Sequence, residues 1–226
     1  MRIRAAGVLA FLWATAAFAF TDSLDDVLAR MDRAADSFKA FSADLRSVAH
    51  TAVINEDDTD SGTIRLKGTK HGMDMLVEFT APNRKSIALR DHKVEIYYPQ
   101  QQTIQEYDIS RYRALLDQFM LIGFGTAGRE LAGSYNLKVL GAETVAGQQT
   151  TSLELAPKSP EVLKNLKKLE LWISDEHTYP VQQKFYLSAG DYKLVTYTNV
   201  KMNPPLSDSD LKLKVPKDTK RVFPQK

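Results

Sequence analysis

Between Leu166 and Val215 three apolar-alternating segments follow one another, separated by short turn signals. Leu169, Leu171 and Ile173 alternate with Glu170 and Trp172. A Ser174-Asp175-Glu176-His177 turn leads to Val181, Gln183, Phe185 and Leu187, and Ala189-Gly190-Asp191 leads to Tyr192, Leu194, Thr196, Thr198 and Val200. Alternation with a period of two over nine or ten residues predicts long antiparallel strands with two unlike faces. Such strands run about 30 Å at roughly 3.3 Å per residue. A chain that spends its last third this way builds a large sheet, and a large sheet twists and curves.

The opening of the chain is of another kind. Arg2 and Arg4 precede an apolar run from Ala5 to Ala17 that ends in Ala17-Phe18-Ala19. A basic start, a short apolar run and a small-x-small site predict a signal peptide over residues 1–19, cleaved near Ala19. The run is shorter than the ~17–20 residues needed to span a bilayer. The expectation is an exported, soluble mature chain in the periplasm. Without Arg2 and Arg4 the 30 basic residues fall to 28, equal to the 28 acidic ones. That balance gives no electrostatic reason to expect nucleic acid as a partner. The absence of cysteine removes disulfides, thiolate catalysis and a lipid-attachable amino terminus. About two hundred residues with no break in composition fit a single domain, 20–226.

Ser23 to Phe41 reads as a helix: Leu24, Val27, Leu28, Met31, Ala34, Ala35 and Phe38 recur at helical spacing, and Ser23 with Asp26 approximates a capping box. A first strand starts at Phe41 and continues to about Ile54. Asn55 to Gly62 reads as a polar hairpin tip. As a calcium loop it fails, because Gly62 stands where a ligand is required. Short strands then follow at Thr63–Lys67, Met73–Thr80, Ser86–Arg90, Val94–Tyr98 and Thr103–Tyr107, with connections too short for parallel crossovers. Ser110 to Ile122 carries a helical stripe of Tyr112, Leu115, Leu116, Phe119 and Met120. A second short helix is expected at about Thr126–Ala132. Strands near Asn136–Glu143 and Gln148–Ala156, a linker over Pro157–Asn165 and a closing strand at Leu211–Val215 complete the reading.

Trp172, Tyr179-Pro180, Gly190-Asp191, Tyr197-Thr198-Asn199 and the run from Asp208 to Pro216 carry a likeness in order and spacing. With Phe41–Leu45, Gly62–Lys67, Glu78–Pro82 and Tyr97–Pro99, most of the mature chain resembles the periplasmic outer-membrane lipoprotein-sorting carriers (LolA-type). The resemblance implies an α+β fold, a large curved antiparallel sheet forming an incomplete β-barrel of about 11 strands, with helices covering the concave face. It implies a non-catalytic carrier of lipoprotein acyl chains or lipids, without cofactors, that meets an inner-membrane transporter and an outer-membrane acceptor. One departure stands out. Gly68-Thr69 occupies the place of the family's Arg-Pro pair, whose arginine helps latch the lid, and neither residue can supply a charge-assisted bond.

Other chemistries find little support. Gly123-x-Gly125-x-x-Gly128 matches a dinucleotide fingerprint literally, but a helix reading before it and a short segment after it deny the strand–turn–helix context. His50, His71, His92 and His177 are scattered, with no partner at metal-binding spacing. What remains is apolar surface, rich in adaptable methionine. The candidate lining of a ligand cavity is Leu28, Met31, Phe41, Met73, Met75, Val77, Leu115, Phe119, Met120, Trp172 and Phe185. For any one of them, ordinary core is the competing reading. Three function classes follow: a carrier for acyl chains, an envelope scaffold or accessory subunit of a membrane transporter whose sheet has a filled core, and, last, an exported enzyme. A concave side packed solid by its own side chains would end the carrier reading.

Overall fold

The computed structural model describes residues 22–70, 72–113 and 122–224. Helix α1 (Leu24–Ser37) starts at the predicted cap, where the Ser23 hydroxyl oxygen accepts from the Asp26 amide at 3.2 Å. It buries Val27 and Met31 and leaves its acidic and basic residues outward. Arg30 ties it to the far side of the sheet, donating to the Asp175 carbonyl at 2.9 Å.

Twelve strands form one open sheet. They are β1 (Ala40–Thr51), β2 (Glu56–Thr69), β3 (Gly72–Ala81), β4 (Lys85–Arg90), β5 (Lys93–Tyr98), β6 (Thr103–Asp108), β7 (Tyr135–Val145), β8 (Gln148–Pro157), β9 (Leu166–Ser174), β10 (Pro180–Leu187), β11 (Tyr192–Met202) and β12 (Lys220–Val222). The order across the sheet is β12-β6-β5-β4-β3-β2-β1-β11-β10-β9-β8-β7. Every pairing is antiparallel except β12 on β6. β12 and β7 are the edges, so the sheet is an incomplete barrel, as the sequence leads one to expect. The β7 edge carries a register shift between Val139 and Gly141, a device that discourages pairing with a further strand. Helices α2 (Gly128–Ser134) and α3 (Pro160–Leu163) and three short 3-10 turns are the other regular elements among the described residues.

Side chains alternate between the two faces along each strand. On one face Phe41, Ala43 and Leu45 of β1 meet Ile64 and Leu66 of β2, Met73, Val77 and Phe79 of β3, and Val195 and Tyr197 of β11. On the same side of the far half, α1, Ile122, Leu131 and Tyr135 cover Leu153, Leu155, Leu169, Leu171 and Ile173. The opposite face is covered in part by the end of the chain. After β11 the chain crosses behind β3 and β4, where Leu211 and Leu213 cover Leu76 and Ala88, and Lys67 pairs with Asp208 at 2.8 Å.

Some boundaries differ from expectation. The acidic run after Asn55 is not a hairpin tip: the turn is 52–55, β1 stops at Thr51, and Glu56 to Gly62 belongs to β2. Its carboxylates are compatible with a strand because they face solvent or a polar partner, with Asp57 at 2.7 Å from the His50 ring and Asp60 at 3.3 Å from the Lys85 ammonium. Leu211–Val215 is not a strand either. A 3-10 turn over Asp208–Leu211 sends Leu211 inward, and the last strand is β12. The second helix runs two residues later than expected, as α2. The signal peptide, and residues 114–121 of the helix expected over Ser110–Ile122, with Leu115, Phe119 and Met120, lie outside the described residues; residues 110–112 form a turn, and Tyr112 of the expected apolar stripe is exposed.

The opposite face also holds an ionic cluster that sets an alkaline limit. The Lys168 ammonium donates to Glu154 at 2.7 Å and Glu170 at 2.8 Å, and the Tyr186 hydroxyl donates to Glu170 at 2.8 Å. The two carboxylates raise the Lys168 pKa, and burial, aided by Glu170, pushes the Tyr186 phenol up to about 12. Both groups are raised in the fold, so their support is complete below the unfolded values of roughly 10–10.5 and is lost as pH rises through the folded ones. Thermal melts should hold level up to about pH 9 and decline above about pH 10. Lys168→Met should flatten that decline. An equal slope in the variant would show that the cluster does not contribute.

Candidate functional site

The two halves of the concave face are unlike. α1 and α2 fill the half over β7–β10, whereas the half over β1–β4 and β11 keeps a hollow of about 410 Å³. Its walls are apolar: Leu45, Ile64, Leu66, Met75, Val77, Phe79, Ile87 and Val195 from the sheet, with Phe185 and Leu187 from β10. The volume lies within the range of about 300–1,000 Å³ usual for small-ligand pockets.

A six-residue segment, 122–127, closes one end. Phe124 points from it into the hollow and packs on Phe41, with ring centroids 4.5 Å apart, and on Tyr197 at 5.2 Å. Local sequence explains the shape. Gly123 and Gly125 flank Phe124 at φ of +85° and +70°, a region that side-chain-bearing residues avoid. Gly128 lets the start of α2 touch α1, since a Cβ there would sit 2.5 Å from the Leu28 carbonyl oxygen. The literal dinucleotide fingerprint is thus a tight turn and a helix contact. α2 has only seven residues, and a turn rather than a strand precedes it.

One polar chain pins this lid to the sheet. The buried Gln183 side chain donates to the Ile122 carbonyl at 2.7 Å and accepts from the Tyr197 hydroxyl at 2.7 Å. Burial raises the Tyr197 phenol far above its ordinary value, so it remains a neutral donor. Gln183→Leu keeps the volume but strands a buried carbonyl and a buried hydroxyl, each costing about 1–3 kcal/mol. The expected result is a lower melting temperature with faster hydrogen exchange over 122–127. Unchanged exchange there would mean that the lid is held by packing alone.

Of the residues expected to line a cavity, Met75, Val77 and Phe185 lie on its wall. Phe41 and Met73 sit in the core cluster beside it, and Met31 and Leu28 belong to the filled half. Trp172 packs with Val145, Tyr179 and Val181, its indole N–H donating to Glu143 at 2.6 Å. Leu115, Phe119 and Met120 are outside the described residues. Sequence reasoning did not single out Phe124, Gln183 or Lys193, all three of which line the hollow. An aromatic between two glycines was the available signal for the first. Among the described residues no group of three or more His, Asp or Glu is placed to hold a metal ion. Gly68, at the place of the family's latch arginine, donates its amide to the Lys39 carbonyl at 2.9 Å.

Comparison with solved structures decides what kind of sheet this is. An uncharacterised conserved protein from Thermus thermophilus superposes with a TM-score of 0.57 at 14% identity, over 89% of this chain and 99% of that one. The lipoprotein LppX from Mycobacterium tuberculosis does so with a TM-score of 0.52 at 14% identity, over 82% and 99%. The chain shares their fold. A LolA superfamily protein from Nitrosomonas europaea also matches, at 16% identity and a TM-score of 0.41, over 85% and 98%. With the Thermus protein and LppX the likeness is one of fold. No protein-family model and no curated protein sequence matches the chain.

Proposed function

We propose that this chain is a periplasmic carrier that holds the acyl chain of a lipid or lipoprotein in the concave hollow and delivers it towards the outer membrane. The observation that supports this most is the apolar hollow of about 410 Å³, closed at one end by Phe124. A buried methylene gains about 0.8 kcal/mol over water, so a chain of a dozen carbons is held in a membrane by on the order of 10 kcal/mol. Crossing an aqueous compartment requires a dry site of comparable stabilisation. A half-barrel with a wall of Leu, Ile, Val, Met and Phe supplies one, and the reading calls for no reaction and no cofactor. The basic, apolar and small-x-small opening of the sequence supports export, and the mature chain, 20–226, would act as one domain. An inner-membrane transporter would load the carrier and an outer-membrane acceptor would unload it.

The filled half under α1 favours the rival reading, a scaffold or accessory subunit that works by contact with proteins. Native mass spectrometry of the mature protein, followed by lipid extraction, separates the two. The carrier reading expects a co-purified lipid or saturable uptake of a fluorescent fatty-acyl probe. Neither lipid nor uptake, with the fold intact, would leave the scaffold.

A further inference from the structure

One charged side chain stands on the wall of the hollow. Lys193 on β11 lies between Phe185 of β10 and Ala49 of β1 in the sheet register, two residues from Val195 on the same face. It is open to solvent at the mouth, and it makes no hydrogen bond or ion pair among the described residues. Near it are a second cation, Lys85, and one carboxylate, Asp60, already shared by Lys85 at 3.3 Å and the Asn83 amide at 3.2 Å. Lys85 and Asp60 thus offset one another, and Lys193 is left without a paired anion among the described residues. Beside it, the buried Ser47 opens its hydroxyl to the same hollow, with no hydrogen-bond partner among the described residues.

The apolar walls beside this ammonium offer it no hydrogen bond, and no anion among the described residues pairs with it. The walls and the neighbouring Lys85 lower the Lys193 pKa, with Asp60 opposing them. A ligand anion at the mouth would remove that conflict, while its hydrocarbon tail filled the space behind. On the carrier reading, we propose that the hollow takes a single-chain amphiphile with an anionic head, a carboxylate or a phosphate monoester. Lys193 pairs with the head, Ser47 donates to it, and the tail runs inward to Phe124. A neutral head has no partner to offer the ammonium, and a cationic one is repelled by both lysines.

The test displaces the neutral probe N-phenyl-1-naphthylamine from the mature protein with laurate, dodecyl phosphate, dodecanol and dodecyltrimethylammonium, all below their micellar concentrations. The anions should displace it at concentrations at least about tenfold lower than dodecanol, and the cation should be weakest, as a charge-assisted contact predicts. The tighter of laurate and dodecyl phosphate identifies the head. Lys193→Met should erase the preference for anions while leaving dodecanol unchanged or tighter, and Lys193→Arg should retain it. Equal displacement by dodecanol and laurate in the parent protein, or an anion preference that survives Lys193→Met, overturns the assignment and leaves the carrier reading standing. A protein that takes up neither the probe nor any of the four ligands overturns both.

Discussion

Gly62→Ala should be among the most damaging single-methyl additions in this chain. A Cβ at that position would fall 2.1 Å from the Glu78 carbonyl oxygen and 2.9 Å from the Phe79 Cα, both main-chain atoms that cannot swing aside. Gly62 faces Leu45 on β1 and Phe79 on β3, where the β2–β3 register shifts. Making room means parting β3 from β2, with loss of ladder bonds and of the Phe79 wall. Overpacking plus broken pairing points to about 2–4 kcal/mol, or a melting temperature lower by roughly 5–15 °C for a chain of this size. Gly133→Ala is the control. Nothing lies within 4 Å of its Cβ and it sits inside α2, so that change should be neutral or stabilising by up to about 1 kcal/mol. A Gly62→Ala protein that melts with the parent would show that the strands do not approach so closely.

Met75→Trp should separate binding from folding. Met75 is half-buried on the cavity wall and packs on the edge of the core, so an indole can extend into the empty volume without displacing a neighbour. Filling an apolar void usually stabilises by about 0.5–2 kcal/mol. The melting temperature should stay level or rise, while the affinity for a twelve-carbon ligand should drop by more than about tenfold, since several methylenes lose their site. Titration calorimetry with laurate, alongside thermal melts, reads both quantities. Undiminished binding by a well-folded variant would place the ligand elsewhere. Lower stability together with weaker binding would show that the space is needed by the protein itself.

Much of this architecture was legible because a few physical signals were strong. The alternation in β9, β10 and β11, the Ser23 cap of α1 and the short turns after β3 and β4 each specify their element almost unaided. Errors arose where partners rather than propensities decide. Glu56 to Asp60 is a poor strand by composition, yet β1 supplies backbone partners for it, Lys85 supplies a cation to Asp60, and the His50 ring lies 2.7 Å from Asp57. Leu211 and Leu213 alternate as a strand would, but they are used to cover the back of β3 and β4. The same limit applies to the site. Periodicity separates the two faces of β3 and so finds Met75 and Val77, but it cannot say which half of a concave face the helices fill. That depends on α1 lying over β7–β10, a contact fixed by Gly128 and by Arg30 reaching Asp175. Polar liners were the least visible. Gln183 falls in an apolar position of the alternation, where a lone polar residue reads as noise, and Lys193 lies off the set read for β11, whose buried face is that of Val195 and Tyr197 instead.

The middle of the sheet has a consequence in time. β1, nearly the first element made, finds one of its two neighbours only in β11; the Asn199–Asp44 bond across that seam joins residues 155 positions apart. Until β11 is available, the meander from β1 to β6 must persist with one long edge unpaired and its Met, Val and Phe face wet. Pairings this distant in sequence are slow to form, and half-sheets with open edges aggregate while they wait. Refolding should therefore be slow and strongly concentration-dependent, and a chain threaded across a membrane would benefit from a holding chaperone that recognises that unfinished seam.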